Sequence, residues 1–166
     1  MKSYYENKDY SNSVVYAEKV LANPKIDENV KSDAQIIIAR AAIQTGDEVK
    51  ARTAYAKLQT TAKGELAAEA LYYDAYFKNK DGKFEVSNTV VQKLAKNYSS
   101  YKYFGSKGLV LMAKNFYGLK DSFQATYILD SVIKNFTDFP DVVSEAQKEL
   151  DAIKSEEAKT NSSIGG

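Results

Sequence analysis

The chain has 166 residues, 23 Lys plus Arg against 22 Asp plus Glu, and a net charge of +1, so no long-range field draws it to nucleic acid or an anionic membrane. It contains no Cys, His or Trp. That excludes disulfides, thiolate catalysis, Cys/His zinc sites and every mechanism resting on imidazole.

Two prolines and eight glycines leave most of the sequence free to be helical. In chain order, a polar turn at Lys8-Asp9 leads into a helix whose inner face carries Ser13, Ala17, Val20 and Leu21. Ala34, Ile38, Ala39 and Ala42 form a second helical face. After Gly46-Asp47 a third follows with Ala51, Ala54, Tyr55 and Leu58. Ala68, Leu71 and Ala75 mark a fourth. The turn at Gly82-Lys83 opens a fifth, with Phe84, Ser87, Val91, Leu94 and Tyr98 on one side. Leu109, Met112, Ala113 and Phe116 belong to a sixth. Lys120-Asp121 precedes a seventh, on which Ala125, Ile128, Leu129, Val132, Ile133 and Phe136 keep a three-four rhythm. Phe139-Pro140-Asp141, with Asp138 as the expected N-cap, opens a final helix striped by Val143, Ala146, Leu150 and Ile153. Residues 155–166 turn polar and are expected to be a disordered tail. Alternating strand patterns are absent from this reading, so the fold class is all-α.

The turns repeat. Ser13, Ala51, Ser87 and Ala125 occupy one position in four segments, at steps of 38, 36 and 38 residues. A small side chain there lets two helices approach closely, and the large residues that follow fill the groove between neighbouring pairs. The pattern resembles tetratricopeptide (TPR) repeats over roughly residues 5 to 137. The match is carried by Ile38-Ala39, Gly46-Asp47, Ala51 and Tyr55, by Met112-Ala113 with Ala125, and by Asp9-Tyr10 in the first turn. It departs from the family in its longer step (the usual one is roughly 34), in Asp74 where a leucine is usual, and in Ser13 and Ser87 in place of alanine.

The resemblance implies a right-handed superhelical α-solenoid of antiparallel helix pairs. The repeats fall at about 1–25, 28–61, 65–98 and 101–137, a capping helix spans 139–154, and the repeat domain occupies 1–154. The first unit has too few residues for a full first helix. The expectation is a C-terminal piece of a longer bacterial array, or a stunted helix over residues 2–8. An open N-terminal face with Tyr10, Val14, Ala17 and Leu21 would then pair two copies into a homodimer.

Function follows from the same resemblance. TPR-like proteins hold a peptide or protein on the concave face lined by the first helix of each pair. Carried over, that face comprises Arg40, Glu69, Tyr72, Tyr76, Lys107, Lys114 and Tyr117, accompanied by Asp33, Ile36, Ile43, Asn79 and Val110. Arg40, Lys107 and Lys114 would suit a carboxylate or read as solvated surface charge, and Tyr72 and Tyr76 would offer an aromatic or sugar face or pack between helices. The acidic pairs Glu65/Glu69 and Glu145/Glu149 read as solvated helix surface. With no phosphate loop, nucleophile elbow or metal-ligand cluster in the sequence, the expected role is a non-enzymatic protein-binding scaffold without cofactor or metal. A spacer or self-associating segment of a longer array, and a glycan-binding module, are the alternatives. Likeness to repeat proteins of the bacterial envelope favours the periplasm over the cytoplasm. No sequence window is apolar enough to span a membrane.

Overall fold

The computed structural model describes residues 1–164. The described residues form nine helices and no strand: α1 (Lys2–Glu6), α2 (Tyr10–Ala22), α3 (Glu28–Thr45), α4 (Glu48–Thr61), α5 (Gly64–Lys80), α6 (Phe84–Asn97), α7 (Lys102–Gly118), α8 (Ser122–Asn135) and α9 (Pro140–Ile164). The all-α expectation holds. The chain divides into two units, Met1–Asp74 and Ala75–Gly166, with the break inside α5.

One turn recurs four times. Lys8, Gly46, Gly82 and Lys120 each sit in the left-handed region, at φ 61°, 74°, 72° and 67°. The next residue's N–H then reaches back five residues: Asp9 to Tyr4, Asp47 to Ala42, Lys83 to Lys78 and Asp121 to Phe116, all at 2.8–2.9 Å. These bonds close the preceding helix. At Asp9, Asp47 and Asp121 the carboxylate then caps the following helix, accepting from the N–H of Asn12, Lys50 and Gln124. Glycine fills two of the four left-handed positions without strain, and lysine fills the other two at some cost.

In the first unit α3 lies against α2, α4 and the short α1. Ala17, Ala34, Ala39, Ala51 and Leu58 are wholly buried, and Tyr55 is nearly so. The stunted first helix exists, and Tyr5 on it meets Tyr10 at a centroid distance of 5.5 Å. The expected open N-terminal face is therefore largely covered. Ala17 is fully buried and Tyr10, Val14 and Leu21 are half-buried, because α1 and α3 both pack on α2.

In the second unit α7 packs against α6 and α8, and α9 packs against α8 and α7. Gly108 permits the α6–α7 approach, since a Cβ there would stand 3.2 Å from Val91 and 3.3 Å from Leu94. At Gly118 a Cβ would meet the Phe84 ring at 2.6 Å. The core joins Val110, Ala113, Leu129 and Val132 to Val142, Ala146, Leu150 and Ile153 of α9. Val142, rather than the expected Val143, begins the buried stripe. Pro140 takes the first helical position, where its missing N–H costs nothing, so Phe139 and not Asp138 precedes the helix. The helix also continues to Ile164, through most of the segment expected to be a disordered tail; residues 165 and 166 lie outside the described residues. Glu156, Glu157, Ala158 and Lys159 are strong helix formers, and Lys159 pairs with Glu156 at 3.2 Å, so the last turns need little burial.

A buried polar cluster fixes the register of α6 and α7. Asn115 is fully buried, and its amide donates to Ser87 Oγ and Asn88 Oδ1, both at 2.8 Å. Asn79 donates to Asn115 Oδ1 at 2.7 Å, and the Ser87 hydroxyl donates to the Ala75 carbonyl at 2.7 Å. No buried side-chain polar atom in the cluster lacks a partner, and an apolar substitution undoes this. Asn115→Ala should lower stability by about 2–3 kcal/mol in urea unfolding, leaving buried partners unpaired while helix content is retained. A loss below about 0.5 kcal/mol would mean the cluster is not closed as described.

Candidate functional site

The seven residues expected on the binding face differ in burial and in the contacts they make, and Arg40 and Glu69 meet each other. The Arg40 guanidinium donates twice to the Glu69 carboxylate, Nε to Oε1 at 2.9 Å and a terminal nitrogen to Oε2 at 2.6 Å. Tyr55 adds its hydroxyl to Oε1 at 2.9 Å, and its ring stacks on Tyr73 at 4.2 Å. Glu69 is only 3% exposed, so this carboxylate is held by three hydrogen bonds from two side chains inside the first unit. Hydrogen bonding to Glu69 pushes the Arg40 guanidinium further above its ordinary value. Burial, then the Glu69 charge, push the Tyr55 hydroxyl up strongly.

Lys114 is tied in the same manner, with its ammonium 2.8 Å from Glu145 and 3.3 Å from Glu149 on α9. Burial pulls its pKa down, but hydrogen bonding and charge from the two carboxylates outweigh it, and the net shift is upward. The Glu145/Glu149 pair thus brackets a cation. In the sequence, Asp33, Glu69, Lys107 and Glu145 follow one another at steps of 36, 38 and 38. Three of these four positions carry an acid that pairs with a cation of an earlier helix: Lys2 with Asp33, Arg40 with Glu69, Lys114 with Glu145.

Tyr72 is buried, 6% exposed, with its ring edge-on to Tyr73 at 5.0 Å, so it packs instead of lining a surface. Ile36 and Val110, at the corresponding positions of α3 and α7, are buried too. Tyr76, Lys107 and Tyr117 are half-buried and keep accessible surface. Tyr76 meets Phe77 edge-on with the Lys80 ammonium 5.9 Å from its ring, and the Lys107 ammonium lies 5.7 Å from the Tyr103 ring. All three lie in the second unit.

Among the described residues, recesses open beside these helices. Tyr117 borders a polar one of about 400 Å³, completed by Lys120, Ser122, Glu156, Glu157, Thr160 and Asn161, so the last turns of α9 contribute directly. A second, of about 370 Å³, is mainly apolar and is framed by the end of α6, the first turns of α7 and the α8–α9 turn. Its walls include Ala95, Tyr98, Leu109, Phe136 and Phe139, with Ser99, Lys102, Asn135 and Asp138 among its polar groups. Sequence reasoning missed this site; its one available signal was Gly105, a glycine inside a helix. The third, of about 280 Å³, lies in the first unit between the ends of α2 and α4 and the start of α3.

Among the described residues no group of three or more His, Cys, Asp or Glu is placed to hold a metal ion, and no helix is long and apolar enough to cross a membrane. Comparison with protein-family models and with curated proteins yields no match.

The raised Tyr55 pKa has a pH consequence. An unfolded tyrosine ionises near its ordinary value of about 10, whereas the folded one holds its proton well above that. Its contribution to stability is therefore fully present below about pH 10 and is lost as pH rises toward the folded value. Unfolding free energy should fall above about pH 10, by about 1.4 kcal/mol per pH unit for each proton so held. Burial raises Tyr5 in the same direction, so Tyr55→Phe should flatten the slope without abolishing it. An unchanged slope in Tyr55→Phe would contradict a buried Tyr55 hydroxyl that holds its proton in the folded chain.

Proposed function

We propose that this chain is a non-enzymatic scaffold of the TPR type, part of a right-handed α-solenoid, that takes a protein or peptide partner on the first helices of its pairs. The supporting observation is the fourfold turn, each copy followed by a wholly buried Ser13, Ala51, Ser87 or Ala125. Repetition of one helix–turn–helix unit produces a series of similar helix faces, which suits recognition of an extended partner. The partner contacts we assign are Tyr76, Lys107 and Tyr117, which keep accessible surface; Glu69 and Tyr72 are buried, and carboxylates answer the charges of Arg40 and Lys114. Tyrosine provides a large contact area at small entropy cost.

A second reading is favoured by Phe123 and Tyr127, which lie one turn apart on α8 and are 76% and 67% exposed. In that reading the chain associates with itself. A photo-crosslinking side chain installed at 76, 117 or 127 in the source organism separates the two. The scaffold reading expects one partner protein in adducts from 76 and 117 and none from 127. Adducts of twice the chain mass from 127, with nothing from 76 or 117, would select self-association.

A further inference from the structure

Three glycines lie within α7 and have residues or open space facing their missing side chains. Two have a packing reason: a Cβ at Gly108 would press on Val91 and Leu94, and one at Gly118 would strike Phe84. Gly105 has none. A Cβ there meets nothing within 4 Å, and its φ is not in the left-handed region, so neither crowding nor backbone geometry calls for glycine. Glycine inside a helix weakens it relative to alanine, and at Gly105 the missing side chain leaves the backbone open to the space beside it. Gly105 lines the apolar recess of about 370 Å³.

The rest of the recess has the composition of a binding site. Tyr98, Phe136 and Phe139 supply three half-buried aromatic rings, and the volume is at the small end for cavities that enclose a ligand. Lys102 and Asp138 stand on the same recess, both exposed. No ion pair or hydrogen bond engages either side chain among the described residues, and they do not pair with each other. An apolar chamber bordered by one free cation and one free anion fits an apolar ring with opposite charges on either side of it.

We propose that this recess is an anchor pocket for the aromatic side chain of a partner peptide, seated over Gly105, with an acidic neighbour reaching Lys102 and a basic neighbour reaching Asp138. The proposal rests on the protein-binding reading and adds to it a site that the first-helix face does not contain. Aromatic anchors in small desolvated pockets carry most of the energy in such contacts, and the rim charges set orientation and preference.

The test is a nuclear magnetic resonance titration of the full chain with two peptides, acetyl-Glu-Phe-Lys-amide and acetyl-Lys-Phe-Glu-amide, each beside its Ala-for-Phe counterpart. One Phe peptide should shift the Gly105 amide and the Tyr98, Phe136 and Phe139 rings saturably, with a millimolar Kd, and its Ala counterpart should bind at least about tenfold more weakly. Gly105→Leu places a side chain in the open space and favours helix, so its melting temperature should hold or rise while the shifts disappear. Lys102→Ala, at an exposed position, should weaken the preferred peptide several-fold and provides a second variant that leaves the core untouched. Absence of saturable shifts from both Phe peptides, equal binding of the Ala peptides, shifts that persist in Gly105→Leu, or unchanged affinity in Lys102→Ala would each overturn the proposal. A failed titration leaves the adducts from positions 76 and 117 unaffected, and their loss leaves the titration unaffected, so the two readings fall separately.

Discussion

At the start of α2, α4, α6 and α8 one side chain has no room at all. Ser13, Ala51, Ser87 and Ala125 are each 0% exposed, five residues past a left-handed residue. Close packing at that point sets how near each helix lies to its predecessor, and so where the larger residues further along must sit. Tyr55, Val91 and Leu129, four positions on, are all at most 1% exposed. Leu58, Leu94 and Val132 repeat this after one further turn. The turn fixes the start of each helix, and the small residue fixes its distance.

Polar groups then align the helices laterally. The Arg40–Glu69–Tyr55 cluster and the Lys114 contacts to Glu145 and Glu149 are directional where apolar packing is not. A paired buried charge contributes little net stability, since desolvation offsets much of the attraction, but removing one partner is costly. These residues therefore specify register more than they add stability. Their charged groups are answered within the chain, although the Arg40 and Lys114 side chains remain 41% and 30% exposed.

Much of this was legible in the sequence. The four turns announce themselves by Gly or Lys before Asp or Lys, and the four small residues by their spacing. What was not legible has physical causes. Tyr72 lies on a helix that is apolar on several sides, so spacing alone does not separate a packed ring from a displayed one. Arg40 and Glu69 are 29 residues apart, and no local pattern reveals that pairing. The last turns of α9 have a polar composition, which reads as disorder, yet Glu156 to Lys159 are good helix formers continuing a helix already anchored by Ile153. Gly105 was readable as an anomaly, but only the contacts of Gly108 and Gly118 show that its neighbours in the helix have reasons it lacks.

The most direct measurement enlarges the small residue and compares it with an exposed control. Urea unfolding of Ala51→Leu and Ala125→Leu should show losses of about 1–3 kcal/mol each, the cost of overpacking a filled contact. Ala56→Leu, the same chemical change at an exposed position of α4, should stay within about 0.5 kcal/mol of the parent chain. If Ala51→Leu and Ala125→Leu are tolerated as well as Ala56→Leu, close approach at those positions does not organise the fold, and the repeat has another basis.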